Sequence, residues 1–349
     1  MKKFKQQLSK LRKTKPTDQS SDGRITNETV AEHREQILAG GRKFKYPVQY
    51  SRHKLVINSV AIILVSIVLL VLVFWWQLYI AQNDSKFMYR FTQLVPVPVA
   101  QVDGENVPYS DYLKRFRSSV HYLRQQNNLN PDTVDGKKEI EYRKRQELDN
   151  AIRDAYARKL ARENDVSVPQ NDVSAFITRE LDTKKVSETA YERTVLNNFY
   201  DWTMDDYRSV VYAELLKRKV SFAIDTAARE KADRVLAALR AEGADFGAIA
   251  KAESDDEATR ESGGDSGPVL RKNIDPSGVI TAVAKLSPGQ MTDLIYGSDG
   301  YYIAKLTSKD SQNVRYQFIK IALTEFQDRF DAVKQSDKVR EYIEINSEQ

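Results

Sequence analysis

The stretch ADFGAIAKAESDDEATRESGGDSG, Ala244–Gly267, decides the reading of the C-terminal half of this chain. Phe246–Ala252 reads as a short apolar helix and Glu253–Ser266 as a polar loop. Gly263-Gly264-Asp265-Ser266-Gly267 reads as a tight turn, because glycine accepts positive φ without steric cost. Composition changes at this point: residues 243–300 hold nine of the fourteen glycines. Working towards the C-terminus, Val279–Leu286 reads as a second short helix, closed by Ser287-Pro288-Gly289. Tyr301–Leu306 and Val314–Leu323 read as strands. In the second, Tyr316 and Phe318 fall on one face, with Lys320 departing from the pattern, and Gln317, Ile319 and Ile321 on the other. An amphipathic helix from Thr324 to Ile343 ends the chain. Residues 243–323 therefore form a small α+β domain, followed by a C-terminal helix within 324–349.

Upstream, residues 99–242 read as a helical domain. Asp103-Gly104 is a two-residue hairpin turn, and Ser110 caps a helix from Asp111 to Gln126 whose apolar stripe is Tyr112, Phe116, Val120 and Leu123. A long charged helix covers Gly136–Asn164, and further helices run from Asn171 or Pro169 to Leu181 and over 187–199. Thr203 and Asp206 make a capping box. Met204–Glu242 contains no glycine or proline. It is one helix of ~60 Å, or two joined by a strand at Val220–Ile224.

Further upstream, Leu55–Asn83 carries no charge, and Leu55–Ile80 is almost wholly apolar. A bilayer core of ~30 Å needs about 20 such residues, so 55–80 reads as a transmembrane signal-anchor, with Trp75, Trp76 and Tyr79 at its boundary and 81–98 as a juxtamembrane linker. Residues 1–54 form a basic tail with 14 Lys+Arg against 5 Asp+Glu; the remainder has 54 − 14 = 40 against 49 − 5 = 44. The +9 tail stays in the cytoplasm and the −4 remainder is translocated. Its lysines set topology and meet anionic lipid, so the alkaline pI does not point to nucleic acid. Pro16–Gly23 reads as flexible and 28–39 as a short helix.

Several chemistries are excluded. The chain has no cysteine, hence neither a disulfide nor a thiol nucleophile. Its three histidines are His33, His53 and His121, which leaves no zinc set and no base near the glycine-rich turn for a serine nucleophile. That turn lacks the lysine of a phosphate loop, and Asp255, Asp256, Glu257 and Asp265 do not match a calcium loop.

The hairpin stretch VAQVDGENVPYSDYL (Val99–Leu113) and the helix-break-helix ARKLARENDVSVPQNDVSAFI (Ala157–Ile177) resemble the N-terminal region of extracytoplasmic chaperones of the SurA, PrsA and PpiD type. Ala244–Gly267, with AVAKLSPGQMTDLIYGSDGYYIAKL (Ala282–Leu306), resembles the parvulin-type prolyl isomerase domain. The resemblance implies a chaperone or foldase that binds unfolded or nascent secreted polypeptides, with no cofactor and no metal. It also implies two histidines on adjacent central strands, an acidic residue beside them and an apolar cup. Here Tyr302 replaces the second histidine. The first falls at Ser221 or Phe222 if Val220–Ile224 is the opening strand, and at Phe318 if Val314–Ile321 is. The seven-residue link between the last two strands suits a hairpin and favours the latter, a circularly permuted domain. Asp256 keeps the acidic position, and Ile274 and Val279 form a smaller cup. These departures imply a weak or absent isomerase. Asp256 and Tyr302 are the catalytic candidates, and Ile274, Val279 and Phe318 the substrate-binding ones. Asp256 also reads as a turn carboxylate and Tyr302 as an ordinary strand aromatic.

Overall fold

A computed structural model of the protein describes residues 27–45, 47–127 and 129–345. The readings made for residues 1–26, the basic cluster and Pro16–Gly23 among them, lie outside the described residues. The chain divides into two compact units, 1–74 and 75–349.

In the first unit, α1 (Asn27–Lys45) contains the expected helix at 28–39 and extends it, and α2 (Pro47–Trp75) follows. The apolar helix Lys54–Ile80 spans 27 residues, and its most apolar 18-residue stretch is wholly unburied. At ~1.5 Å per residue the whole helix is ~40 Å long, enough to cross a bilayer by length and composition.

In the second unit, Ser85 caps α3 (Lys86–Leu94) by accepting the Met88 N–H. That helix buries Met88, Tyr89 and Thr92, so residues 81–98, expected as a linker, are largely built into the fold. Strands β1 (Pro98–Val102) and β2 (Glu105–Pro108) form the expected hairpin, with φ of 45° at Asp103 and 85° at Gly104. Positive φ at both centre positions matches the right-handed strand twist. Helix α4 (Tyr109–Gln126) starts directly after Pro108 with no side-chain cap; Ser110 lies within its first turn and does not cap it as expected. Its predicted stripe is buried. Then come α5 (Val134–Glu163), α6 (Gln170–Lys184), α7 (Glu188–Tyr191) running into a π-helical segment, Glu192–Tyr200, and α8 (Met204–Ile224). The capping box of Thr203 and Asp206 forms at the start of α8.

Val220–Ile224 is the last stretch of α8 and carries no strand. Asp225 (φ −91°, ψ 73°) breaks the helix, and α9 (Thr226–Arg240) follows. The remaining elements are α10 (Phe246–Glu253), α11 (Glu257–Arg260), β3 (Asp265–Leu270), α12 (Val279–Val283), β4 (Ile295–Tyr296), β5 (Gly300–Lys309) and β6 (Asn313–Ala322). The sheet order is β3-β6-β5-β4, with every neighbouring pair antiparallel. β6 is thus the antiparallel neighbour of β5, the place expected for an opening strand, and it arrives from the C-terminal side. This is the permuted order, and it removes Ser221 and Phe222 from the sheet. Part of the expected 253–266 loop is instead helix α11 and the start of β3.

Two cores flank the sheet. On one face α9 and α10 bury Ala232, Val235 and Phe246 against Tyr301, Ile303, Ile319 and Ile321. On the other, α12 buries Val279, Ile280 and Val283 against Tyr302, Ala304, Leu306 and Tyr316. Residues of α9, upstream of Gly243, thus belong to the first core.

The C-terminal segment was expected to be helical to Ile343. Helix α13 (Glu325–Gln335) stops earlier, Asp337 takes φ 51°, and β7 (Val339–Glu341) follows. β7 adds to β1, giving the order β2-β1-β7. The rings of Phe326 and Phe330 lie 5.9 and 5.7 Å from that of Tyr156 on α5. Burying Phe330, 1% exposed, contributes about 1.5–3 kcal/mol. The chain therefore returns to the helical region, and the module is an insertion between α8 and α13. One buried carboxylate holds both crossings. Asp225 accepts the Ala228 N–H at 2.9 Å, capping α9. Its other oxygen accepts the Thr324 and Glu325 N–H groups at 2.8 and 3.1 Å, capping α13.

Candidate functional site

Strand pairing brings the candidate aromatic residues together. Tyr302 on β5 is opposite Lys320, and Phe318 on β6 is opposite Ala304. The two aromatic positions are diagonal neighbours on one face, with ring centroids 6.3 Å apart. Tyr316 follows on the same face, its ring 5.9 Å from that of Phe318. Phe222, the other candidate for the first position, packs edge-on against Tyr301 at 5.0 Å, among the residues that meet the core on the opposite face. Phe318, and not Phe222, thus shares the sheet face of Tyr302.

Gly264 fixes the backbone beneath this pair. Its carbonyl accepts the Phe318 N–H at 2.9 Å. A Cβ there would lie 2.2 Å from the Phe318 carbonyl oxygen, and φ is +76°. The quoted Gly-Gly pair is thus required by close approach as well as by turn geometry.

The Tyr302 hydroxyl donates to Asp299 at 2.7 Å, and Asp299 also pairs with the Lys320 ammonium at 2.6 Å. Burial, then the bond to Asp299, pushes the Tyr302 phenol above its ordinary range, and the charge of Asp256 adds to this. Burial pushes Asp299 upward, but its bonds to Lys320 and Tyr302 prevail and hold it below the ordinary carboxylate range. Tyr316 is raised by burial to about 12. The Tyr302 hydroxyl is thus a neutral donor already committed to a carboxylate.

Asp256 serves as the N-cap of α11, accepting the Thr259 N–H at 3.0 Å and the Thr259 hydroxyl at 2.7 Å. This is the turn-carboxylate role. Val279 is buried in the α12 core, and Ile274 is 91% exposed. The apolar cup expected from Ile274 and Val279 is therefore not assembled: one lies in the core and the other stands bare on a loop. Among the described residues no group of three or more His, Asp or Glu side chains is placed to hold a metal. Tyr302 is 8% exposed and lies with Phe318 against the α12 core, and among the described residues no free base or nucleophile stands beside the pair.

Two participants were not identified from the sequence. Asp299 immediately precedes the quoted Gly300-Tyr301-Tyr302, and Lys320 is the residue that broke the alternation of β6; its pairing with Asp299 accounts for the charge at that position.

Comparison with known proteins finds family models for both the helical region and the sheet region. The model for the SurA-like N-terminal domain matches residues 51–221, and that for the PPIC-type PPIASE domain matches residues 215–308. The second match starts on α8 and ends within β5, so it omits β6. Foldase protein PrsA of Streptococcus gordonii (strain Challis) is 30% identical over 150 residues, 40% of this chain and 46% of that protein. Foldase protein PrsA of Streptococcus pneumoniae (strain Hungary19A-6) is 31% identical over 140 residues, 38% of this chain and 41% of that protein. The chain thus spans less than half the length of these curated relatives. The crystal structure of foldase protein PrsA from S. pneumoniae str. Canada MDR_19A aligns with 55% of this chain and 77% of that chain at 18% identity, with a TM-score of 0.19.

Proposed function

We propose that this chain, which belongs to the SurA/PrsA-like proteins carrying a parvulin-type module, is a membrane-anchored extracytoplasmic chaperone that holds unfolded secreted or envelope proteins, and that its module binds chains without turning their prolines. The observation that carries the second clause is the Tyr302–Phe318 pair on adjacent central strands, 6.3 Å apart. Prolyl isomerisation breaks no covalent bond, and its barrier of ~18–20 kcal/mol falls when the imide loses double-bond character in a fitted, desolvated site. An aromatic pair supplies desolvation. With Tyr302 committed to Asp299, Asp256 to a helix cap and no assembled cup, nothing holds the twisted imide.

The anchor reading rests on Lys54–Ile80 and the charge asymmetry around it. The N-terminus is cytoplasmic and residues 84–349 lie outside, with lipid met through one helix. The test of the chaperone role is suppression of aggregation of a chemically unfolded client by the full chain in nanodiscs. Suppression near stoichiometric amounts, across unrelated clients, is expected. Absence of suppression, together with recovery of one stoichiometric folded partner by crosslinking, overturns the chaperone role in favour of an envelope scaffold.

A further inference from the structure

An open cleft of about 950 Å³ lies between the helical region and the inserted module. Its helical wall carries Arg153, Arg179 and Arg218, and its module wall carries Ile274 and Tyr296. The lining holds four cations, Arg153, Arg179, Lys217 and Arg218, and four carboxylates, Glu180, Glu214, Asp275 and Asp299, but the arginines are not paired with those carboxylates. Arg153 donates to the Gln327 side-chain oxygen and lies over the Phe330 ring at 4.7 Å. Arg218 donates to the Tyr296 backbone carbonyl. The Arg179 guanidinium has no partner among the described residues. None of the three meets a carboxylate there.

The acids that line the same cleft are mostly committed. Glu180 pairs with Lys184 and accepts the Tyr207 hydroxyl. Glu214 pairs with Lys217 at 2.9 Å, and Asp299 with Lys320 at 2.6 Å. Asp275 accepts the Ser277 hydroxyl at 3.1 Å and the Thr281 N–H at 2.7 Å, and is the one lining carboxylate with no cation. Three guanidiniums thus face one uncompensated carboxylate. Burial lowers the proton affinity of Arg218, with no carboxylate to offset it; an incoming anion would relieve that cost.

The rim is apolar. Ile274 is 91% exposed, Tyr296 47% and Phe176 38%. A nearly bare isoleucine on the module loop, beside aromatic side chains and facing arginines, has the composition of a binding surface. Arginine and aromatic residues are the usual anchors of such surfaces.

Resting on the proposal that this protein binds unfolded chains, we infer that the cleft takes an extended client segment with a carboxylate side chain close to apolar or aromatic residues. The carboxylate is received by Arg179 and Arg218, whose planar forks suit it, and the apolar side chains lie on Ile274 and Phe176. Ile274 therefore binds substrate, but in this cleft and not beside Tyr302.

The test uses the full chain in nanodiscs and fluorescence anisotropy of two labelled peptides. Both carry the same spaced Phe and Leu residues; one has Glu and the other Gln at the intervening positions. The Glu peptide binds about 5-fold tighter at low salt, the range of a partly exposed ion pair, and loses that advantage at high salt. Arg179→Gln, on an exposed helix face, removes most of the preference, and Arg218→Gln adds to it. Ile274→Ala weakens both peptides alike and, at so exposed a position, leaves folding unchanged. Equal affinity for the two peptides, or a preference that survives both arginine variants, overturns the inference while the chaperone role stands. Failure to bind either peptide or a permanently unfolded client overturns both. Concentration-dependent self-association abolished by Ile274→Glu also overturns the inference, since the cleft is then a contact between copies.

Discussion

Replacing Asp225 by alanine is expected to loosen both ends of the inserted module at once. The residue is 4% exposed, and its carboxylate accepts N–H groups from Ala228, Thr324 and Glu325. Losing the cap of α9 costs about 1 kcal/mol. The two N–H groups that open α13 are only partly buried, so losing a charged acceptor there costs about 1–2 kcal/mol more. The sum is about 2–3 kcal/mol. With a urea dependence of about 3 kcal/mol/M at the upper end for domains, the unfolding midpoint of residues 75–349 falls by roughly 1 M. Asp225→Asn keeps one acceptor oxygen and loses about half as much. Hydrogen exchange gives the sharper readout: the first amides of α9 and of α13, about 100 residues apart in sequence, lose protection together. A loss under about 0.5 kcal/mol, or deprotection confined to α9, refutes the reasoning that one carboxylate closes both crossings.

Other consequences follow from the same contacts. Gly264→Ala forces a Cβ to 2.2 Å from the Phe318 carbonyl oxygen at φ +76°, and should cost at least about 2 kcal/mol by strain and lost pairing; a thermal scan that shows no drop in midpoint excludes the close approach. Tyr302→Phe removes one hydrogen bond, about 1 kcal/mol, and lets the Asp299 pKa rise towards its ordinary value, which a carboxyl NMR titration measures. Asp299 and Asp265 are both held low in the folded chain, so their contribution is present above the unfolded Asp pKa of ~3.9 and fades as pH falls through the lower folded values; stability should drop below about pH 4. Tyr302 and Tyr316 are raised, so their contribution is complete below pH ~10 and is lost as pH rises beyond it. The chain has no native cysteine, so Ser9→Cys and Ser311→Cys can be labelled singly in intact cells; an impermeant reagent should reach only Cys introduced at 311, and labelling at 9 contradicts the topology.

Local patterns carried much of the architecture. The hairpin at Asp103-Gly104, the capping box of Thr203 and Asp206, and the alternation of β6 depend on residues close in sequence, and each forms as read. The hairpin of β5 and β6 was also legible, because the link between Leu306 and Val314 is short; that link favoured the permuted order over an added edge strand without deciding between them. What failed depends on distant partners. Ser110 lost its capping role because the chain enters α4 directly from Pro108. The C-terminal helix was overdrawn because β1 offers an open edge to Val339–Glu341, which periodicity cannot reveal. Ile274 and Val279 were grouped as one cup by analogy, yet a loop and a core separate them. The cleft was illegible for the same reason: Arg153, Arg179 and Arg218 sit on three helices, and only packing makes them neighbours of Ile274.

Exchange NMR on a short X-Pro peptide bound to the full chain in nanodiscs tests the central claim most directly. Uncatalysed isomerisation takes tens to hundreds of seconds, too slow for cis–trans exchange cross-peaks. Shifted or broadened peptide resonances without exchange cross-peaks are predicted, meaning that the chain is held and its proline is not turned. Exchange cross-peaks that vanish with Tyr302→Ala contradict the account, and show the aromatic pair to be an isomerase site.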